Sequence, residues 1–139
     1  LAGRRLNDSM GEYVATEVIK LMIKKDIRIK NANILILGIT FKENCPDVRN
    51  TKAVDVIAAL KEYGVNVIIY DPWANAEEVM HEYGLKSVRV TPREKFDAIV
   101  LTVAHNEFKG LDFELFKKER SLVYDVKNIL GSSIKDGGL

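Results

Sequence analysis

The sequence predicts an α/β fold, a doubly wound parallel sheet of about five strands with a packing helix at its N-terminus. Three observations lead there. Short aliphatic runs alternate with segments of helical periodicity along most of the 139 residues. The runs are almost wholly apolar rather than alternating, as strands are when helices cover both faces of a parallel sheet. The connections are short, which favours simple crossovers between neighbouring strands.

From Asn7 onward, Met10, Tyr13, Val14, Val18, Leu21 and Met22 recur at three- and four-residue steps, so they mark one face of an amphipathic helix. Asn7, Asp8 or Ser9 can cap its start, and Lys20, Lys24 and Lys25 suit its negative end. The run Asn33 to Ile39 is the first strand. Thr51 or Asn50 caps a helix with Ala53, Val54, Ile57, Ala58 and Leu60 inward, closed at Gly64 by a residue able to turn left-handed. Val65 to Tyr70 is a second strand, stopped by Asp71-Pro72-Trp73. Residues 75–83 form a helix with Val79, Met80 and Tyr83 inward and Gly84 closing it. Ser87 to Val90 reads as an edge strand, Pro92 as the start of a brief helical turn, and Asp97 to Val103 as a strong strand. A short helix over Phe113 to Lys118 and a last strand over Leu122 to Val126 follow. The tail, residues 131–139, is rich in glycine and serine and is expected to fray.

Composition narrows the function classes. Twenty-one basic against 20 acidic residues leave a net charge of +1, without the basic field that nucleic-acid binding uses. No apolar run reaches the length of a membrane span. The single cysteine, Cys45, excludes an internal disulfide and a thiolate zinc cluster, and suits a reducing cytoplasm. The chain begins at Leu1 and enters a helix almost at once, as a piece of a longer protein would.

Ligands of open α/β sheets collect at the carboxyl ends of the strands. There the sequence stations Thr40, Phe41, Lys42, Asp47 and Arg49 after the first strand, Asp71 after the second, His105 and Asn106 after the strand ending at Val103, and Asp125, Lys127 and Asn128 after the last. Lys42 and Arg49 flank a helix N-terminus, whose free amides favour an anion such as a diphosphate. Only Gly38 of a G-x-G-x-x-G pattern is present, and the loop is about ten residues longer than that motif allows, which argues against a self-sufficient dinucleotide site. Asp71 reads as a strand stop ahead of a ribose-binding acid. His105 reads as a solvated loop residue and Cys45 as a plain loop cysteine, since neither has a chemical partner close in sequence. Lys117, Lys118 and Arg120 read as a wet helix face.

Gly38-Ile39-Thr40-Phe41-Lys42, Asp47-Val48-Arg49-Asn50-Thr51, Tyr70-Asp71-Pro72 and Asp125-Val126-Lys127-Asn128-Ile129-Leu130 occur in an order that resembles the C-terminal, UDP-sugar-binding domain of the UDP-glucose/GDP-mannose dehydrogenase family. The wording from Glu43 to Asn50 is similar to the branch acting on UDP-N-acetylhexosamines. The resemblance implies a Rossmann-like domain over residues 31–130, preceded over residues 1–30 by the end of the parent enzyme's central helix and followed by a flexible tail over residues 131–139. It implies substrate contacts from Phe41, Lys42 and Lys127, a cofactor contact from Arg49, and neither a catalytic residue nor a metal ligand in this chain. Lys127 stands where many relatives carry arginine, keeping the charge and losing the planar fork. Family members oxidise the C6 alcohol of the sugar to a carboxylate with NAD, through a catalytic cysteine whose motif Cys45 does not match. The implied partners are a UDP-sugar, the N-terminal NAD-binding domain of the same chain and a second subunit of a homodimer, in the cytoplasm and in polysaccharide biosynthesis. A stand-alone nucleotide-binding or regulatory module is the alternative reading.

Overall fold

The computed structural model describes residues 2–139, with side chains from Met10 onward. Helix α1 runs Ala2–Lys24, strand β1 Asn33–Leu37, helix α2 Ala53–Lys61, strand β2 Asn66–Tyr70, helix α3 Ala76–Tyr83 and strand β3 Ser87–Val88. Strand β4 spans Phe96–Leu101, helix α4 Asn106–Lys109, a 3₁₀ turn Phe113–Phe116, strand β5 Lys117–Asp125 and strand β6 Gly137–Gly138. The sheet order is β3-β2-β1-β4-β5-β6 and every pairing is parallel. The order reverses between β1 and β4, which are neighbours in the sheet, so a crevice opens above their carboxyl ends.

The two-residue period of β1 divides the core. Ile34 and Ile36 face a layer built from Val14, Val18 and Met22 of α1 and Ile57 and Leu60 of α2. Leu35 and Leu37 face the opposite layer, where Phe108, Phe113 and Phe116 meet Ile99, Leu101 and Val123. All five of these strand side chains from β1, β4 and β5 are removed from solvent, which explains their unbroken apolar runs.

Several details depart from the expected elements. In α1 the buried stripe is Val14, Ala15, Val18, Ile19 and Met22, whereas Met10 and Tyr13 are about half exposed. The stripe is rotated because Gly11 brings α1 against α2, where a Cβ would stand 2.8 Å from that of Asp55. The helix passes through Asn7, Asp8 and Ser9, whose proposed capping lies outside the described side chains. In α2 the inner face is Ala53, Val56, Ile57, Ala59 and Leu60, with Ala58 outward, and in α3 Met80 is exposed while Val79 is buried. Gly64 and Gly84 take positive φ, as the expected helix ends require.

Residues 91–95 form no helical turn and run as an irregular passage from the edge strand to β4. Strand β5 begins at Lys117, so Lys117, Lys118 and Arg120 lie on a strand, with Lys118 paired to Asp97 at 3.1 Å. The tail expected to fray instead supplies the sixth strand: Gly137 and Gly138 pair with Tyr124 and Asp125. Asp136 holds it there, accepting the Val123 amide at 2.8 Å with one oxygen and the Lys25 ammonium at 2.8 Å with the other.

Candidate functional site

The loop from Gly38 to Lys52 crosses the crevice at the reversal of strand order. Gly38 has φ +102°, and a Cβ there would lie 2.4 Å from Val103 Cβ, so β1 and the chain after β4 touch with no room for a side chain.

The loop is tied down by polar side chains from two other strand ends. Asp71, fully buried, accepts the amides of Ile39 at 2.7 Å and Thr40 at 3.1 Å on Oδ2, and those of Trp73 at 2.8 Å and Ala74 at 3.1 Å on Oδ1. Burial alone pushes its carboxyl up; the His105 hydrogen bond and the amides of Ile39 and Trp73 outweigh it and hold the group below its ordinary 3.8. His105 is also fully buried. Its Nδ1 accepts the Asn44 amide at 2.9 Å, so by this network the ring proton sits on Nε2, which lies 3.0 Å from Asp71 Oδ2 and 3.1 Å from Thr40 Oγ1. The Thr40 hydroxyl in turn donates to the Lys42 carbonyl at 2.9 Å. Asp71 is therefore the strand stop the Asp-Pro pair suggests, and His105, read as a solvated loop residue, is an interior one.

What this network leaves outside is the tip. Phe41 is 55% exposed and Lys42 is exposed beside it, while the flanking Ile39, Thr40 and Val48 are buried. An aromatic ring and an ammonium are thus displayed on a fixed backbone. Arg49 lies further along the loop, its guanidinium 3.1 Å from Asp47 Oδ1. The hydrogen bond lowers the Asp47 carboxyl and raises the arginine. Arg49 lines a cavity of about 390 Å³ together with Asn75, Glu78 and His81, and a second of about 500 Å³ with Cys45, Trp73 and Arg89.

Lys127 sits elsewhere, in a cavity of about 240 Å³ with Lys52, Thr102, Met10 and Leu139. Its position is set by Asp125, a fully buried carboxylate that accepts four consecutive amides: Lys127 at 3.0 Å and Asn128 at 2.8 Å on Oδ1, Ile129 at 2.8 Å and Leu130 at 2.7 Å on Oδ2. The four site candidates therefore occupy the carboxyl side of one sheet, but Arg49 and Lys127 line different cavities. Lys52, at the start of α2, was not singled out by sequence; its only signal was its place before an apolar helix. Among the described residues no group of three His, Cys, Asp or Glu side chains could hold a metal ion, and no helix is long and apolar enough to cross a membrane.

Residues 35–132 match the model of the UDP-glucose/GDP-mannose dehydrogenase family, UDP binding domain. The chain belongs to this family. It is 46% identical over 139 residues to the UDP-N-acetyl-D-glucosamine 6-dehydrogenase of Pseudomonas aeruginosa and 48% identical over 139 residues to that of Salmonella typhi, in each case covering 98% of this chain and 33% of the relative. The chain thus spans about a third of the length of these curated relatives. Among solved structures, the UDP-N-acetyl-mannosamine dehydrogenase Cap5O from S. aureus superposes with a TM-score of 0.71 at 26% identity, over 97% of this chain and 30% of that one. The UDP-D-ManNAc dehydrogenase from Pyrococcus horikoshii shares the fold, with a TM-score of 0.77 at 24% identity over 97% of this chain and 32% of that one. The family resemblance drawn from the four motifs, and the α/β sheet that it implies, are both borne out.

Proposed function

We propose that this chain is the nucleotide-sugar-binding domain of an NAD-dependent 6-dehydrogenase that oxidises the C6 alcohol of a UDP-N-acetylhexosamine to a carboxylate, in the cytoplasm and for polysaccharide biosynthesis. The observation that carries the reading is the exposed Phe41-Lys42 tip, held on a clamped backbone at the reversal of strand order in a chain whose matched family domain binds UDP. The two relatives named for UDP-N-acetyl-D-glucosamine, each aligned over nearly the whole chain, support the hexosamine branch.

In this reading residues 1–30 close the central region of the parent enzyme, residues 31–130 bind the nucleotide sugar, and residues 131–139 seal the sheet edge. Phe41 packs on the nucleotide, Lys42 and Lys127 neutralise the diphosphate from two sides of the crevice, and Arg49 turns toward the cofactor after exchanging Asp47 for a phosphate. NAD would be held mainly by a preceding domain, where two successive cofactor molecules would each take one of the two hydrides that separate the alcohol from the carboxylate. Binding energy from the remote nucleotide fixes the C6 carbon for a reaction whose cysteine lies outside this chain. The parent enzyme works as a homodimer.

Calorimetry on the 139-residue chain with UDP, UDP-N-acetylglucosamine and NAD, each alone, tests the assignment. Heat with both uridine ligands and none with NAD is the expected result. Heat with NAD alone, or NADH formation by this chain without another domain, overturns it.

A further inference from the structure

The Asp71–His105 pair is fully buried, and the chemistry proposed above makes no use of it. Its imidazole is enclosed: the Trp73 ring lies 6.1 Å away at 23°, and the Phe108 ring meets it edge-on at 5.2 Å. Both ring nitrogens are committed, and the ring has no exposed surface, so it cannot reach a substrate. What it does touch is the segment that carries Phe41 and Lys42. The Thr40 hydroxyl, which bridges to the Lys42 carbonyl, and the Asn44 amide both bond to the same imidazole, one before the displayed pair and one after it. Asn44 holds φ at +54° and its side-chain oxygen accepts the Asn106 amide at 3.0 Å, so the residue after His105 grips the far end of the segment a second time.

We propose that His105 and Asp71 are positioning residues that wind the 40–44 segment around a buried imidazole and so preset Phe41 and Lys42 for a uridine diphosphate group. This rests on the nucleotide reading above and deepens it. Two exposed side chains on a free loop lose backbone freedom on binding; on this loop that ordering is already done in the unbound protein. An apolar residue in place of His105 would fill the space but strand the Asn44 amide and one face of Asp71, and the segment would open to water to satisfy them.

The test uses three variants and one control variant of the 139-residue chain, with UDP affinity by calorimetry and amide exchange at Asn44 by NMR. His105→Leu is expected to weaken UDP binding about tenfold and to deprotect the Asn44 amide. His105→Asn, whose Oδ1 can stand where Nδ1 stood, should restore most of that protection and part of the affinity. Asn44→Gly keeps the left-handed backbone and the core and removes only the grip of Asn106, for a loss of about threefold; it keeps the question open to measurement should His105→Leu not fold. As a control for general destabilisation, Leu122→Ala in the other core layer should lower stability and leave the dissociation constant alone. Unchanged affinity and unchanged Asn44 exchange in a folded His105→Leu or Asn44→Gly variant would overturn the proposal. Absence of UDP binding by the unmodified chain would instead overturn the nucleotide reading, with the exchange data still deciding whether the clamp exists.

Discussion

Gly38 and Val103 meet where β1 and β4 part, and a Cβ on the glycine would stand 2.4 Å from the valine Cβ. With φ at +102°, Gly38→Ala meets both backbone strain and a collision that would have to separate two core strands. Denaturant unfolding should show a loss of about 3 kcal/mol or more. Val103→Gly in the same background, which removes that Cβ, should return part of it.

Asp71 links stability to acid. Its carboxyl is held below 3.8, so its contribution is complete above that value and is lost as pH falls through the lower folded value. Asp71→Asn replaces one accepting oxygen by an NH₂ that faces backbone donors, at a cost of about 3 kcal/mol at neutral pH. The variant's stability should then lose less than the parent's as pH falls below 4, a difference that thermal melts at pH 7 and pH 3 would measure.

Asp136 joins the last strand to α1 and β5 through Lys25 and the Val123 amide. Asp136→Ala should release residues 131–139 to limited proteolysis while the five inner strands persist. The global cost, read from urea unfolding, is expected to be about 1–2 kcal/mol.

The roles proposed for Lys42, Lys127 and Arg49 separate by ligand. In the full-length enzyme Lys42→Ala should raise the KM for the UDP-sugar by about tenfold or more with little change in the KM for NAD, since the missing group would be the proposed diphosphate contact. Arg49→Ala should do the reverse. Lys127→Arg, which restores a planar fork, should lower the UDP-sugar KM, and an unchanged value in steady-state assays would take Lys127 out of the site.

The elements that local chemistry defines were open to reading in the chain: the aliphatic runs, the left-handed glycines at 64 and 84, and the strand stop at Asp71. The exposed tip at Phe41 and Lys42 was legible too, because the motif is contiguous. His105 was not, since its partners Thr40, Asn44 and Asp71 lie 65, 61 and 34 residues away and only the closed sheet brings them together. β6 left no periodic signal, because a Gly-Gly strand has no side chains to pattern; a single aspartate before it does the anchoring. The rotated face of α1 escaped for a similar reason, being set by the closeness Gly11 permits rather than by where apolar residues recur.

The turn after β5 has one more implication. With the amide of Val126 bonded to the Leu101 carbonyl and the next four taken by Asp125, the corner presents no vacant peptide donors to a visiting molecule. A guest arriving there would meet the ammonium groups of Lys127 and Lys52 rather than peptide donors, so this corner would discriminate by valence and tolerate variation in outline.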